Sequence, residues 1–242
     1  MIDVRGLVKG FKDVEALKGV TFQVNSGEVF GLLGENGAGK TTTLRILATM
    51  LKPDGGTVIM NGKDCLVHPQ GVRREIGILF GGESGIYDRL TARENIAYYG
   101  ELNDMSQDEI KARIEYLTAV LEMGEYIDRR AGKFSKGMKQ KVAIARSIIH
   151  NPPIMLFDEP TSGLDVSATR VVHQFIETCR KEGKTVIFSS HSMQEVEKLC
   201  DRVAIINKGT IVEAGRLDEL KERHRLPLED LFLRLVGEGN EL

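Results

Sequence analysis

The chain has 242 residues, of which 41% are hydrophobic and 28% charged, an ordinary balance for a globular protein long enough to bury a core. A net charge of −2 supplies no global basic field, which argues against nucleic acid as a partner. The longest apolar runs, such as Ile76–Phe80 and Ile154–Phe157, are too short to cross a bilayer, the opening residues MIDVRGLVKGF lack the apolar core of a signal peptide, and Cys65, Cys179 and Cys200 have neither paired nor metal-type spacing, as expected in a reducing cytoplasm.

Residues 2–8 and 20–25 carry strand-like patterns on either side of Phe11–Lys18. Val29-Phe30-Gly31-Leu32-Leu33 reads as a buried strand. The chain then breaks into Gly34-Glu35-Asn36-Gly37-Ala38-Gly39-Lys40-Thr41-Thr42 and resumes as a helical pattern through Leu44, Leu47 and Leu51. This is G-x-x-x-x-G-K-[ST] in its required strand–loop–helix setting. A polyphosphate needs many N–H donors within a small radius, glycines let the backbone curl around it, and a helix N-terminus adds its positive end. The pattern implies a nucleoside triphosphate site, with Lys40 reaching the β- and γ-phosphates and the Thr41 hydroxyl holding Mg²⁺.

Lys52-Pro53-Asp54-Gly55-Gly56 stops that helix, Thr57–Met60 reads as a strand reaching an Asn-Gly turn, and Ile76–Phe80 as a strand running into the glycine-rich segment 81–85. Residues 86–150 read as mostly helical. Thr91-Ala92-Arg93-Glu94 and Ser106-Gln107-Asp108-Glu109 have the capping-box form, and Ile110, Ile114, Leu117 and Leu121 make one apolar stripe. From 154 to 214 strands and helices alternate: Ile154–Phe157, helix Val166–Lys181, Thr185–Ser189, helix Met193–Leu199, Arg202–Asn207 and Thr210–Ala214. Two short amphipathic helices follow over Leu217–Val236, interrupted near Pro227. The expected fold is α/β, a mostly parallel central sheet covered on both faces that together with antiparallel β-structure near the N-terminus spans about 1–85 and 151–215, with a helical insertion over about 86–150.

Ligands of a parallel sheet sit at the carboxyl ends of its strands. The acids ending Ile154-Met155-Leu156-Phe157-Asp158-Glu159 therefore arrive where the phosphates are. Asp158 suits the Mg²⁺ shell, and Glu159 is placed to orient or deprotonate the attacking water. His191 ends the strand beginning at Thr185 on the same edge, in place for a γ-phosphate contact. Ser135 precedes a helix with Val142, Ala145, Ile148 and Ile149 on one face. Capping by Ser135 would present free amides to an anion; an ordinary helix start accounts for the residues equally well.

Taken together, these segments resemble the ATPase subunits of ABC transporters, and the resemblance covers nearly the whole chain. Gly34–Thr41 matches that family's Walker A motif and Ile154–Glu159 its Walker B motif. Ser135-Lys136-Gly137-Met138 lies where the signature motif falls, Ser162-Gly163-Leu164-Asp165 resembles the D-loop, and His191 the switch histidine. Phe11 stands where members stack an aromatic ring on adenine. The resemblance implies a P-loop ABC ATPase fold in one domain with C-terminal helices over about 216–242, ATP and Mg²⁺ as ligands, and a head-to-tail dimer with a second copy. In that dimer Ser135, Lys136, Gly137 and Asp165 of one subunit face the triphosphate held by Lys40 of the other. It also implies integral-membrane permease subunits as partners, at the cytoplasmic face of the membrane.

Two departures stand out. The signature usually reads Ser-Gly-Gly-Gln, and here Lys136 and Met138 replace two of its residues. The family's Q-loop glutamine is missing after Phe80; Gly81 or Gly82 takes its place, with Glu83 nearby as a substitute group. The Lys-Gly-Met form and the Phe-Gly-Gly-Glu loop look most like ABC-2-type exporters, and among those like the NatA-type sodium-extrusion subfamily, with drug or antibiotic efflux subunits sharing similar motifs. A soluble ABC ATPase acting on DNA would carry a long coiled coil between the Walker motifs; this insertion is compact.

Overall fold

The computed structural model describes residues 1–80 and 85–237. Gly81, Gly82 and Glu83, where the family's glutamine would fall, lie outside the described residues.

The chain opens with a long hairpin, β1 (Ile2–Phe11) and β2 (Val14–Val24), where the sequence suggests two shorter strands. Lys12 turns the corner with φ 48°, so Phe11 pairs with Val14 at the hairpin tip. With β4 (Gly55–Met60) and β5 (Lys63–Asp64) these make a four-stranded antiparallel sheet in the order β2-β1-β4-β5. The central sheet has six strands: β3 (Val29–Leu33), β6 (Ile76–Leu79), β7 (Ile154–Asp158), β8 (Thr185–Ser190), β9 (Arg202–Asn207) and β10 (Thr210–Arg216). Their spatial order is β10-β9-β3-β8-β7-β6, parallel except for the antiparallel edge strand β10.

The parallel strands are apolar at nearly every position because both faces are covered. The period-2 alternation of a strand divides their side chains cleanly. Val29, Leu33, Met155, Phe157, Val186, Phe188, Val203 and Ile205 belong to one core. Phe30, Leu32, Ile154, Leu156, Ile187, Ala204 and Ile206 belong to the other. The second core is closed by the antiparallel sheet and by α1 (Lys40–Leu47). The first is closed by α3 (Ala92–Leu102), α4 (Gln107–Val120), α5 (Lys136–Ser147), α6 (Val166–Lys181), α7 (Met193–Leu199), α8 (Leu217–His224) and α9 (Leu228–Gly237). A short α2 (Pro69–Arg73), with β5 a detail the sequence patterns do not show, leads into β6.

Helix starts follow the sequence closely. Both capping boxes form: the Thr91 hydroxyl accepts the Glu94 N–H while Glu94 accepts the Thr91 N–H, and Ser106 and Glu109 do the same. One helix end differs from expectation. α1 stops at Leu47 because Thr49 takes φ 58° and the Met50 N–H turns back to the Arg45 carbonyl at 2.9 Å, a Schellman ending with a threonine where glycine is usual.

Candidate functional site

The loop between β3 and α1 is shaped by its glycines. Gly39 caps α1 at φ 114°, and a Cβ there would meet Leu17 Cδ2 at 2.8 Å and the Ala16 carbonyl at 2.9 Å, so β2 and the loop close on each other only over a glycine. Ala16, Glu35, Asn36, Gly37, Gly39, Lys40, Thr41, Thr42 and Glu159 line a cleft of 150 Å³ over this helix start, and Ala38 is buried beneath it. The Lys40 side chain is only 5% exposed. Its ammonium donates to the carbonyls of Gly34 at 2.7 Å and Glu35 at 3.0 Å and lies 3.5 Å from Glu159 Oε1. A buried ammonium is tolerable only with such partners.

Asp158 is buried at the end of β7. Thr41 Oγ1 donates to its Oδ2 at 2.8 Å, and Ser189 Oγ donates to its Oδ1 at 2.6 Å. The Ser189 hydroxyl also accepts the Glu159 N–H at 3.0 Å. Sequence patterns do not single out Ser189; its only signal is a polar pair, Ser189-Ser190, closing an apolar strand. Glu159 itself has φ 47°, a left-handed conformation that costs on the order of 1–3 kcal/mol for a residue with a side chain. This turn sends its carboxylate back over the loop, where Oε1 lies 3.4 Å from His191 Nδ1. Lys40, Thr41, Asp158, Glu159 and His191 are thus gathered in one place from three elements, at the carboxyl edge of the parallel sheet.

Two oxygen donors side by side, Thr41 Oγ1 and Asp158 Oδ2, suit a hard divalent cation such as Mg²⁺, which takes few protein ligands and completes its shell with phosphates and water. Among the described residues no group of three or more His, Cys, Asp or Glu gathers to form an all-protein metal cage.

Ser135 caps α5, its hydroxyl accepting the Met138 N–H at 3.2 Å. Gly137 is buried, and a Cβ there would meet Ala168 Cβ at 2.7 Å, so the first turn of α5 seats against α6 only without a side chain. Ser135 and Lys136 are exposed, and the Lys136 ammonium lies close against Gly163. Asp165 caps α6, Oδ1 accepting the Ala168 N–H at 2.8 Å. Lys136 and Gln140 line one cleft of 1090 Å³ with Thr41, Asp158 and Glu159 of the same chain, while Ser135 is exposed outside its lining. Phe11 is 46% exposed at the hairpin tip, with the Lys9 ammonium 5.5 Å over its ring.

Comparison with known proteins gives this geometry a family. The family described as ABC transporter matches residues 17–162. The ABC transporter ATP-binding protein NatA of Bacillus subtilis (strain 168) is 48% identical over 229 residues, 93% of this chain and 93% of that protein. The daunorubicin/doxorubicin resistance ATP-binding protein DrrA of Streptomyces peucetius is 36% identical, over 91% of this chain and 66% of that protein. Among solved structures, the dimeric post-hydrolysis state of an ATP-binding cassette bound to ADP and Pi superposes with a TM-score of 0.81 at 26% identity, covering 90% of this chain and 99% of that one. With a strand–loop–helix phosphate cradle facing two carboxylates, and a match of this length, the chain belongs to the ABC transporter family as one of its ATP-binding subunits.

Proposed function

We propose that this ATPase binds ATP with Mg²⁺ over the Gly34–Thr42 loop and hydrolyses it in a head-to-tail dimer that drives a membrane exporter. The observation that carries the reading is the meeting of Lys40, Glu159 and His191 within 3.5 Å contacts beside the Thr41–Asp158 pair. Lys40 turns from its loop carbonyls to the β- and γ-phosphates. Mg²⁺, when bound at Thr41 and Asp158, neutralises phosphate charge. Glu159 orients and deprotonates a water aimed at the γ-phosphorus; the bond to the ADP oxygen breaks as the bond to water forms, and His191 hydrogen-bonds the γ-phosphoryl oxygens. Phe11 offers a ring to the adenine.

Ser135, Lys136, Gly137 and Asp165 serve the second copy's nucleotide. The start of α5, capped by Ser135 and with Ser135 and Lys136 exposed, is an anion-binding end open to a second copy. The dimeric relative with ADP and Pi supports this assembly. The permease surface is assigned to the start of the helical insertion, where Tyr87, Tyr98 and Leu102 are exposed and the two tyrosines pack edge to face at 5.6 Å. No described helix is long and apolar enough to cross a membrane, which accords with attachment to the cytoplasmic face through such a partner.

The cargo we assign is sodium ion, on the sequence likeness to NatA-type subunits and the 48% identity to NatA. The test is the chain assembled with its permease in lipid vesicles: ATP-driven sodium flux supports the assignment, and flux of an anthracycline in place of sodium replaces it with the drug-efflux reading that the likeness to DrrA offers.

A further inference from the structure

Behind the reacting face lies a polar cluster that ATP binding leaves unused. Glu195, in the first turn of α7, is turned inward with 13% of its side chain exposed. Its Oε1 accepts from Thr161 Oγ1 at 2.5 Å and lies 2.9 Å from His173 Nε2, while Oε2 accepts from Ser190 Oγ at 2.9 Å. An ionised carboxylate only accepts, so His173 donates through Nε2–H. Burial pushes the Glu195 carboxyl upward, but the bonds from His173, Thr161 and Ser190 outweigh it and hold it below the ordinary glutamate value.

The partners come from three segments. Thr161 lies two residues beyond Glu159, Ser190 directly precedes His191, and His173 stands on α6 with 9% of its side chain exposed. Ser190 Oγ, its proton given to Glu195, accepts the Ser192 N–H at 2.9 Å, so the His191 loop is bonded on both sides of the histidine. Glu159 and His191, 3.4 Å apart, sit on the two loops that this one carboxylate joins. A largely buried network of this kind is stiff, because loosening a member leaves a polar group shielded from water without its partner.

We propose that Glu195 is a positioning residue for hydrolysis, tying the Thr161 loop to the Ser190–Ser192 loop so that Glu159 and His191 keep their separation. The proposal rests on the hydrolytic site described above. It predicts an effect on turnover rather than on ATP affinity, since the phosphate loop and Lys40 stand apart from the cluster, and a displacement of reacting groups by about 1 Å can cost as much as 100-fold.

The experiment compares ATPase kinetics of the full chain and its Thr161→Val, Thr161→Ser and Glu195→Gln variants, with Glu159→Gln as reference and melting temperatures recorded throughout. Thr161→Val removes one hydroxyl at constant volume; it should lower kcat about tenfold or more with KM for ATP within twofold, and Thr161→Ser should restore most of the turnover. Glu195→Gln should follow Thr161→Val. Wild-type kcat in Thr161→Val, or equal impairment in the serine and valine variants, overturns the proposal. If Glu159→Gln is inactive while Thr161→Val turns over normally, this inference alone fails; if Glu159→Gln turns over normally, the assignment of the hydrolytic site fails with it.

Discussion

Thr41 and Asp158, 117 residues apart in the chain, meet at 2.8 Å where the start of α1 faces the end of β7. Their pairing joins the phosphate loop to the acidic strand end through two oxygens and places both at the sheet edge where a parallel α/β fold binds ligands. Chelation of the divalent cation should therefore reduce phosphate release to background while leaving measurable nucleotide binding on the loop. Turnover unchanged in EDTA would remove Thr41 and Asp158 from the metal site.

In the proposed mechanism Glu159 is the base of the hydrolytic step. Glu159→Gln keeps the shape and loses the base, so steady-state phosphate release should fall by a factor on the order of 10²–10⁴. The same variant should accumulate as an ATP-bound dimer, read by light scattering with and without nucleotide. Hydrolysis at the wild-type rate would reassign the base.

Thr49 holds a left-handed conformation at the end of α1, and its hydroxyl is buried with no hydrogen-bond partner. Such a conformation costs a residue bearing a Cβ roughly 1–2 kcal/mol. Thr49→Gly relieves it and should raise the melting temperature by about 2–4 °C for each kcal/mol recovered at this chain length. A lowered melting temperature would show that threonine packing there outweighs the strain.

His150 makes stability depend on pH. Burial lowers its pKa, with the nearby Arg113 charge acting in the same direction, against a 3.1 Å bond to the Ile76 carbonyl that opposes both. The fold therefore holds the ring neutral. As pH falls below the unfolded value of about 6.5, the unfolded chain takes up a proton that the folded one refuses, and stability drops. Chemical denaturation at pH 7.5 and 5.5 should show a smaller difference between the two for His150→Gln than for the native chain; an equal difference would place the titration elsewhere.

The tyrosine pair at the head of the helical insertion gives a separate prediction. Tyr98→Asp removes the edge-to-face contact with Tyr87 and puts a charge on the exposed patch. ATP binding by the isolated subunit should persist, and co-purification with the permease should fall. Normal recovery of the complex together with normal transport would move the docking surface elsewhere.

Much of this site is legible in the sequence because its chemistry requires residue types at fixed spacing. Gly39-Lys40-Thr41 announces itself as a glycine-led helix start and Phe157-Asp158-Glu159 as an acidic strand end, and Thr91/Glu94 and Ser106/Glu109 mark helix starts through local hydrogen bonds that sequence spacing alone dictates. Ser189 and Glu195 are silent for the opposite reason. Their roles depend on partners 31 and 34 residues away, at Asp158 and Thr161, which only the folded sheet brings near. Thr49 is hidden because β-branched residues seldom take φ near 58°. The long β1–β2 hairpin is hidden because Phe11–Lys18 lacks a regular alternation; β1 and β2 instead pair through several register shifts.

The central claim is that one triphosphate is gripped by Lys40 of one subunit and Ser135 of another. A crystal structure of Glu159→Gln grown with ATP and Mg²⁺ tests it most directly. The expected result is a two-fold dimer with the γ-phosphate within hydrogen-bonding distance of Lys40 Nζ on one side and Ser135 Oγ on the other; ATP bound with Ser135 facing solvent, or seated away from Lys40, would contradict it.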